Sequence, residues 1–461
     1  MQLKKCSILC LLLILLQTIP VFGSNLMNTA SDAASALTLD AQSAILIDAS
    51  TGTVLYEKDS DAKHYPASIT KLMTVLLALE YGNLDETITF SHDAVFSIEP
   101  GSSHIAIDEG EQITMRQALY GIMLQSANEV SNGVAEHIDG SMEAFAQHMT
   151  TRAKELGCTG TNFTNANGLH DDNHYTTAHD MALIAKELLK FDFFRELMAT
   201  LYYEIPPTNK QPETRYLYAQ NQLIKDSSIF YYEYCEGGKT GYTTQAGNTL
   251  VAYAKKGDTE LISVVLQSTG YGEYTDTITL FDYGFANFKT AEVLAEGDFF
   301  ASIPVTTLNK KEEAEEIGTA MVVSQTPVLV TLPASASLEQ LQITDTLPET
   351  LDAPVTAGQK LGTATILLQE EELGTIDLVA QDTVAVAAEA ETLSDKNPVN
   401  FKLILLCLAI LAVVFVIIRL IVGKIMYEKK KRRRRARRRR RLQELKEKNR
   451  LENSRTEINK E

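Results

Sequence analysis

An apolar run at Leu403–Val422 constrains this chain more than any other feature, because it suits a membrane better than a folded core. A bilayer core needs about 20 apolar residues in a helix. The single charged residue, Arg419, lies near the end of the run, from where its head reaches the interface. A buried core helix is the alternative. The basic run at 429–441 directly follows, and it favours a transmembrane helix over 403–422 with its C-terminal flank in the cytoplasm.

The charge of the chain is split in the same way. Lys424–Glu461 contain 18 Lys and Arg but only 6 Asp and Glu, although the whole 461-residue chain has a formal net charge of −18. An acidic body with a basic tail, 423–461, indicates two different surroundings. We expect the tail to contact anionic lipid headgroups. Nucleic acid is a weaker alternative, because no aromatic residue is interleaved with the arginines.

The N-terminus predicts a secretory signal peptide at 1–23. Lys4 and Lys5 precede a short apolar stretch, and Gly23 is a small residue suited to cleavage. A weaker cleavage site lies at 34–36. Together with the C-terminal run, this predicts a single-pass cell-membrane protein whose main body is extracytoplasmic.

Between these segments the sequence predicts an α+β domain at 39–290. Alternating apolar residues flank Ser50–Gly52, which predicts a β-hairpin. We expect an antiparallel sheet flanked by helices. The patterns indicate helices over 67–81, 113–138, 181–198 and 275–288 and a second hairpin over 248–268.

A different pattern begins at about residue 291. Short runs of Val, Ile, Leu and Thr alternate with Pro and Gly, which predicts a small all-β domain at 291–388. A polar linker at 389–402 then leads to the apolar run. Only Cys158 and Cys235 lie outside the signal and membrane segments. Two ordinary thiols are favoured there, with a disulfide between them as the alternative.

The first chemical feature is the pair Ser68 and Lys71 in the stretch YPASITKLMT. At a spacing of three residues both side chains share one helix face. A lysine whose pKa is lowered by burial and by a second cation can activate a serine as a nucleophile. Alone, this pattern is weak, because most such pairs lie on solvated helix faces.

Two further stretches have complementary chemistry. In QSANEVSNG, Ser126 can relay a proton and Asn128 can bind the lysine or a substrate carbonyl. In GGKTGYTTQAG, Lys239 would be the second cation and Thr240 can bind a carboxylate, while Gly241 lets a peptide approach a strand edge. Taken singly, the first stretch could be an ordinary polar turn, and the second could be an exposed glycine-rich turn.

The joint occurrence of the three motifs favours the catalytic interpretation. The order Ser-x-x-Lys, Ser-x-Asn, Lys-Thr-Gly, with serine-to-serine and serine-to-lysine separations of 58 and 113 residues, is the signature of serine penicillin-recognising enzymes. From about Leu39 to Phe288 the chain resembles the low-molecular-mass penicillin-binding proteins, the S11-like serine D-alanyl-D-alanine carboxypeptidases. The stretch APVTAGQKLG resembles their C-terminal module more weakly.

The resemblance implies a β-lactamase/transpeptidase-like fold, a peptidoglycan stem peptide as substrate and β-lactam antibiotics as inhibitors, with no cofactor. It implies that Ser68 is the nucleophile, Lys71 the general base and Ser126 part of the proton relay. The substrate-binding residues it implies are Asn128, Lys239, Thr240, Gly241 and Tyr242, with the N–H groups of Ser68 and Tyr242 forming the oxyanion hole.

Two positions depart from the family pattern. Family members usually carry an arginine in the stretch matching YGEYTDT, where this chain has no basic residue, so carboxylate binding rests more on Lys239 and Thr240. Glu129 stands where many members have aspartate.

Three alternatives remain. His170 and His174 are four residues apart and could bind a metal on a helix, but no third ligand has suitable spacing, and no metal is expected. A β-lactamase shares all three motifs, although no glutamate motif for deacylation lies between Asn128 and Lys239. A catalytically silent wall-binding protein is the last alternative, disfavoured because every motif residue is present.

Overall fold

The structure is a computed structural model, and it describes residues 37–309 and 311–385. No helix within these ranges combines the length and the apolar composition needed to cross a membrane. Four predicted segments lie outside the described residues: the signal peptide (1–23), the linker (389–402), the transmembrane helix (403–422) and the basic tail (423–461).

The described residues divide into two compact units. The larger unit holds 37–304, 319–351 and 357–382, and the smaller one holds 305–309, 311–318, 352–356 and 383–385. All three sequence motifs therefore lie in the larger unit.

Residues 37–287 contain mixed strands and helices. The strands are β1 (Ser43–Asp48), β2 (Val54–Lys58), β3 (Thr87–Thr89), β4 (Gln112–Thr114), β5 (Tyr202–Ile205), β6 (Arg215–Tyr218), β7 (Cys235–Thr243), β8 (Gly247–Lys256) and β9 (Thr259–Ser268). The helices are α1 (Lys71–Tyr81), α2 (His92–Phe96), α3 (Met115–Gln125), α4 (Asn128–Asp139), α5 (Met142–Glu155), α6 (Ala178–Leu188), α7 (Asp192–Ala199) and α8 (Gly272–Asn287).

A five-stranded sheet, in the order β2-β1-β9-β8-β7, organises these elements. Every neighbouring pair is antiparallel, and both hairpins predicted from the sequence, β1–β2 and β8–β9, are confirmed. Alternate residues of β8 face opposite sides: Val251 and Tyr253 join one apolar core with α1, α3 and α4, while Leu250 and Ala252 join another with α8. Because helices cover both faces, β1 is buried throughout and β9 is buried at every residue except Gln267.

Two predicted helices are interrupted. The helix expected over 113–138 is the pair α3 and α4, because Ser126 adopts a left-handed conformation with φ 57° that ends α3. The helix expected over 181–198 is likewise the pair α6 and α7. The break at Ser126 matters for function, because it places the second motif between two helix ends.

From residue 288 the regular secondary structure of the described chain is β-strand, as predicted, apart from a 3₁₀ turn at Leu338–Gln340. The strands are β10 (Phe288–Leu294), β11 (Phe299–Leu308), β12 (Ala314–Ser324), β13 (Val328–Pro333), β14 (Leu341–Asp345), β15 (Leu351–Asp352), β16 (Lys360–Leu368) and β17 (Glu371–Ala380). Strands β10 and β13 pair alone, and a six-stranded sheet contains the order β14-β16-β17-β12.

The two cysteines within the described ranges, Cys158 and Cys235, are free thiols. Burial raises the pKa of each thiol to about 12. The prediction of two ordinary thiols is therefore confirmed, and neither has the lowered pKa of a reactive cysteine.

Candidate active site

Ser68 lies in a tight turn that directly precedes α1. The 3₁₀ turn Ala67–Thr70 begins after Pro66, and Ala67 has a φ of 51°, in the left-handed region that costs a non-glycine residue about 1 kcal/mol or more. The turn is enclosed by close backbone contacts, since a β-carbon on Gly168 would lie 2.0 Å from the Ala67 carbonyl oxygen. Ser68 remains partly exposed while Ala67 is buried, so the fold presents one hydroxyl from a rigid turn.

Lys71 is the first residue of α1, and its amine is fully buried. Its Nζ lies 3.0 Å from Ser68 Oγ and 2.7 Å from Asn128 Oδ1, and it also donates to the main-chain carbonyl of Asn167. A neutral amine has two N–H donors and one lone pair. If the two carbonyl oxygens take the donors, the lone pair is left for the proton of Ser68.

The charge state of Lys71 is set by its surroundings. Burial lowers the pKa of Lys71 well below its ordinary value, and the positive charge of Lys239 lowers it further. The carboxylate of Glu129 acts in the opposite direction and raises it. Because burial dominates, Lys71 is suited to be a base for Ser68.

The second motif lies at the break between α3 and α4. Ser126 is 3% exposed, and its Oγ makes no hydrogen bond to any described residue, so the hydroxyl is available to a ligand in the cleft. Asn128 begins α4, where its backbone N–H donates to the Ser103 carbonyl over 2.9 Å. This bond holds the loop at 101–103 against the motif.

The third motif lies on the edge strand β7, beside the Ser68 turn. Lys239 is 2% exposed and its Nζ donates to the Thr240 carbonyl over 2.7 Å. Burial lowers the pKa of Lys239 to about 7. A β-carbon on Gly241 would lie 2.8 Å from the Ser68 nitrogen, so only glycine permits this approach of strand and turn.

The three motifs meet at a cleft of about 420 Å³. Of the eight residues predicted from the sequence, six line it, whereas Lys71 and Lys239 lie buried behind that surface and act on the cleft through hydrogen bonds and charge. The lining includes Ser68, Gly101, Ser102, Ser103, Ser126, Asn128, Gly168, Gln220, Thr240, Gly241, Tyr242, Asn248 and Glu273.

Three buried polar atoms in the cleft lining have no partner among the described residues. They are Ser126 Oγ, Ser102 Oγ and Glu273 Oε2. Buried polar atoms are normally paired, so a polar ligand that reaches this cleft would gain hydrogen bonds here. The cleft is therefore suited to a ligand with polar groups, such as the amides of a peptide.

His174 has a structural role. Its Nδ1 accepts the Thr164 N–H over 3.0 Å, which leaves Nε2 to donate to Thr70 Oγ1 at 2.7 Å. Burial lowers the pKa of His174 to about 3, so the ring is neutral. His170 packs edge-on against Tyr65, and the stretch between the two histidines is a loop. No group of three or more metal-ligating side chains occurs within 37–309 and 311–385.

Several functional groups were not identified from the sequence. The Asn167 carbonyl on Lys71 is a main-chain atom, and the Asn167 side chain donates to Asn132 Oδ1 over 2.9 Å, which anchors the loop to α4. Ser102 and Glu273 line the cleft from segments remote in sequence. The stretch containing Asn167 could have been singled out for its dense Asn and Gly, but no spacing rule links it to Lys71.

Two family models match this chain. Residues 29–270 match the family described as D-alanyl-D-alanine carboxypeptidase (peptidase S11), and residues 288–386 match the penicillin-binding protein 5 C-terminal domain. The chain is 33% identical over 360 residues to D-alanyl-D-alanine carboxypeptidase DacF of Bacillus subtilis, covering 77% of this chain and 88% of that protein.

Two further relatives come from Haemophilus influenzae. D-alanyl-D-alanine carboxypeptidase DacA is 29% identical over 361 residues, which cover 76% of this chain and 86% of that protein. The crystal structure of penicillin-binding protein 5 matches with a TM-score of 0.65 and 27% identity, covering 76% of this chain and 99% of that one.

Proposed function

The chain belongs to the peptidase S11 family of D-alanyl-D-alanine carboxypeptidases, and we propose that it acts through an acyl-enzyme on Ser68. It is a D-alanyl-D-alanine carboxypeptidase, a hydrolase related to penicillin-binding proteins. The substrate is the peptidoglycan stem pentapeptide, from which the terminal D-alanine is removed. β-Lactams are the corresponding inhibitors.

One observation supports the mechanism above all others: the buried Lys71 amine lies 3.0 Å from the Ser68 hydroxyl, with two carbonyl oxygens available for its N–H groups. Ser68 Oγ attacks the carbonyl carbon of the penultimate D-alanine, and its proton passes to Lys71 Nζ. The C–N bond then breaks, and the leaving amine takes a proton back from Lys71, with Ser126 as the relay. Water finally hydrolyses the ester.

The remaining residues bind and orient the peptide. The N–H groups of Ser68 and Tyr242 stabilise the oxyanion, which is consistent with the close approach of Gly241 to the Ser68 turn. Thr240 contacts the terminal carboxylate from the cleft wall, and Lys239 attracts it through its charge from behind. Asn128 holds the Lys71 amine and faces the substrate.

We also propose that the enzyme works outside the cytoplasm on a membrane anchor. This rests on the apolar run at 403–422, the basic run at 429–441 and the signal-like residues 1–23. Protease added to intact cells should remove the main body and spare the tail at 423–461. Digestion of the tail but not of the body would reverse the proposed orientation.

The proposed chemistry is tested by intact mass of the full chain in detergent after addition of benzylpenicillin. We expect one adduct that persists for minutes, is absent in Ser68→Ala, and accompanies D-alanine release from a peptide ending in D-Ala-D-Ala. An adduct that clears within seconds while penicillin is consumed would indicate a β-lactamase. The absence of both adduct and D-alanine would indicate a catalytically silent wall-binding protein.

A further inference from the structure

Glu273 is the acidic residue of the catalytic cleft, and the protein leaves part of its carboxyl group without a partner. The side chain is 8% exposed, and its Oε2 accepts no hydrogen bond from any described residue. Within the described part of the chain, no lysine or arginine lines the cleft. A buried carboxyl oxygen without a partner is costly, and a ligand that donates a hydrogen bond to it would remove that cost.

Three successive contacts place Glu273 beside the third motif. Tyr242 on β7 pairs with Asn248 on β8, and Asn248 pairs with Ser268 on β9. A β-carbon on Gly272 would lie 2.3 Å from Ser268 Oγ, so Glu273 directly follows the residue that closes this row. Because the proposed function assigns the third motif to the end of the substrate, Glu273 lies where the leaving residue would bind.

The charge at this end of the cleft is negative rather than positive. Glu273 is in the first turn of α8, where the helix dipole stabilises an anion. Burial raises the pKa of Glu273 and the charge of Asp276 raises it further, while its own backbone N–H and the Asn248 amide lower it. Burial lowers the pKa of Lys239 to about 7, so this lysine loses most of its positive charge at about pH 8.

We propose that Glu273 makes this end of the cleft a subsite for a leaving residue whose carboxyl group is a carboxamide rather than a free carboxylate. The carboxamide N–H would donate to Glu273 Oε2, and its oxygen would accept from the Thr240 hydroxyl in the cleft wall. A free carboxylate has no N–H to donate and carries the same charge as Glu273.

This inference rests on the proposed function, because it keeps Ser68 as the nucleophile. Water is consumed and the same D-alanyl peptide bond is hydrolysed. The leaving amine belongs to an amino-acid amide, which is released in place of D-alanine.

The test compares three peptides with the full chain in detergent at about pH 8, above the ordinary pKa of a carboxyl group. All contain Nα,Nε-diacetyl-lysyl-D-alanyl-D-alanine, and they end in a free carboxylate, a carboxamide or a methyl ester. Each gives the same shortened peptide, whose formation measures kcat/KM. The ester is uncharged like the carboxamide but has no N–H. A charge-assisted hydrogen bond therefore predicts that the carboxamide peptide reacts about ten-fold faster than the ester, and faster than the carboxylate.

Variants assign the preference to the carboxyl group of Glu273. Glu273→Met removes the charge and the acceptor with a side chain of similar length, and it should bring the carboxamide-to-ester ratio close to one. Glu273→Gln removes only the charge and should give an intermediate ratio. Glu292→Met, an exposed change on β10, should keep the wild-type ratio.

The wild-type rates decide the outcome even if a variant does not fold. Equal kcat/KM for the carboxamide and the ester would overturn the hydrogen bond to Glu273. A carboxylate peptide that reacts as fast as the carboxamide, or faster, would overturn the preference, and both results leave the carboxypeptidase intact. Formation of no shortened peptide from any of the three would instead overturn the proposed function, and the subsite with it.

Discussion

A β-carbon on Gly241 would lie 2.8 Å from the backbone nitrogen of Ser68 and 2.5 Å from Thr249 Oγ1. Thr249 Oγ1 itself donates to the Pro66 carbonyl, so it holds the start of the Ser68 turn. Gly241→Ala should therefore push β7 away from the turn and separate the two N–H groups proposed for the oxyanion. We expect kcat to fall by about 10²-fold, measured as D-alanine release.

Gly374→Ala is the matched control, because an added β-carbon there meets nothing within 4 Å. It should retain wild-type activity. Displacement of β7 should also lower the melting temperature of Gly241→Ala, so kcat is compared at a temperature where circular dichroism shows both variants to be folded. Full activity in Gly241→Ala would show that the approach of β7 does not shape the oxyanion site.

The pH dependence of acylation should follow the charge on Lys71. The neutral amine accepts the proton of Ser68, so acylation by benzylpenicillin falls as the pH drops through the pKa of Lys71. The positive charge of Lys239 lowers that pKa and the charge of Glu129 raises it. On a plot of the acylation rate against pH, the fall at low pH is the acidic limb. Lys239→Met should therefore move this limb to higher pH, and Glu129→Gln should move it to lower pH.

The measurement is the second-order rate constant of acylation as a function of pH, and its readout is the position of the limb. Absolute rates will also fall in Lys239→Met, because substrate attraction is lost, but a binding effect alone leaves the limb in place. Shifts of the two variants in the same direction would contradict the assignment of the limb to Lys71.

Asp48 should stabilise the larger unit. Its fully buried carboxylate accepts N–H bonds from Ser50 and Thr51 and hydroxyl bonds from Thr290 (2.6 Å) and Thr331 (2.8 Å). Asp48→Asn should lower the free energy of unfolding by about 2 kcal/mol, because an amide nitrogen cannot accept from the two hydroxyls. Calorimetry should show a melting temperature lower by about 5 °C.

The exposed turn residue Asp258 provides the control for that loss of charge. Asp258→Asn should melt at the wild-type temperature. If the two variants melted alike, the hydroxyl bonds to Asp48 would contribute nothing measurable.

Much of the fold was predictable because local patterns determine local elements. The alternation around Ser50–Gly52 and around Lys256–Asp258 predicted both hairpins, and the structure confirms them. The break at Ser126 was not predicted, because the apolar spacing continues on both sides of it. The left-handed backbone of Ser126 and the extended backbone of Ala127 separate the helices, and neither residue type predicts such a break.

The site shows the same limit. Spacing identified Ser68 and Lys71, but the third partner of Lys71 is the Asn167 main-chain carbonyl, which has no residue type to recognise. The burial of Lys239 was equally invisible, since a lysine on an edge strand is usually exposed. Tertiary contacts between segments that are far apart in the sequence cannot be predicted from the local spacing of residue types.

Glu273 should weaken binding of a substrate carboxylate. It lies in the stretch where the sequence lacks the family's arginine, it lines the cleft with Thr240, and it is 8% exposed. Burial raises the pKa of Glu273, but in its ionised form it repels an anionic substrate end. Glu273→Gln should therefore lower KM for peptides ending in D-Ala-D-Ala by several-fold and leave kcat nearly unchanged.

The split between KM and kcat separates this effect from a change in the reacting groups, because Glu273 contacts neither Ser68 nor Lys71 by any hydrogen bond within the described chain. Glu292→Gln, an exposed change on β10, should alter neither constant. The difference in KM between Glu273→Gln and the wild type should also diminish at low pH, where protonation removes the charge of Glu273 in the wild type. A KM that is unchanged in Glu273→Gln would show that this carboxyl group does not repel the substrate, and a KM that rises would show that it helps to bind the substrate.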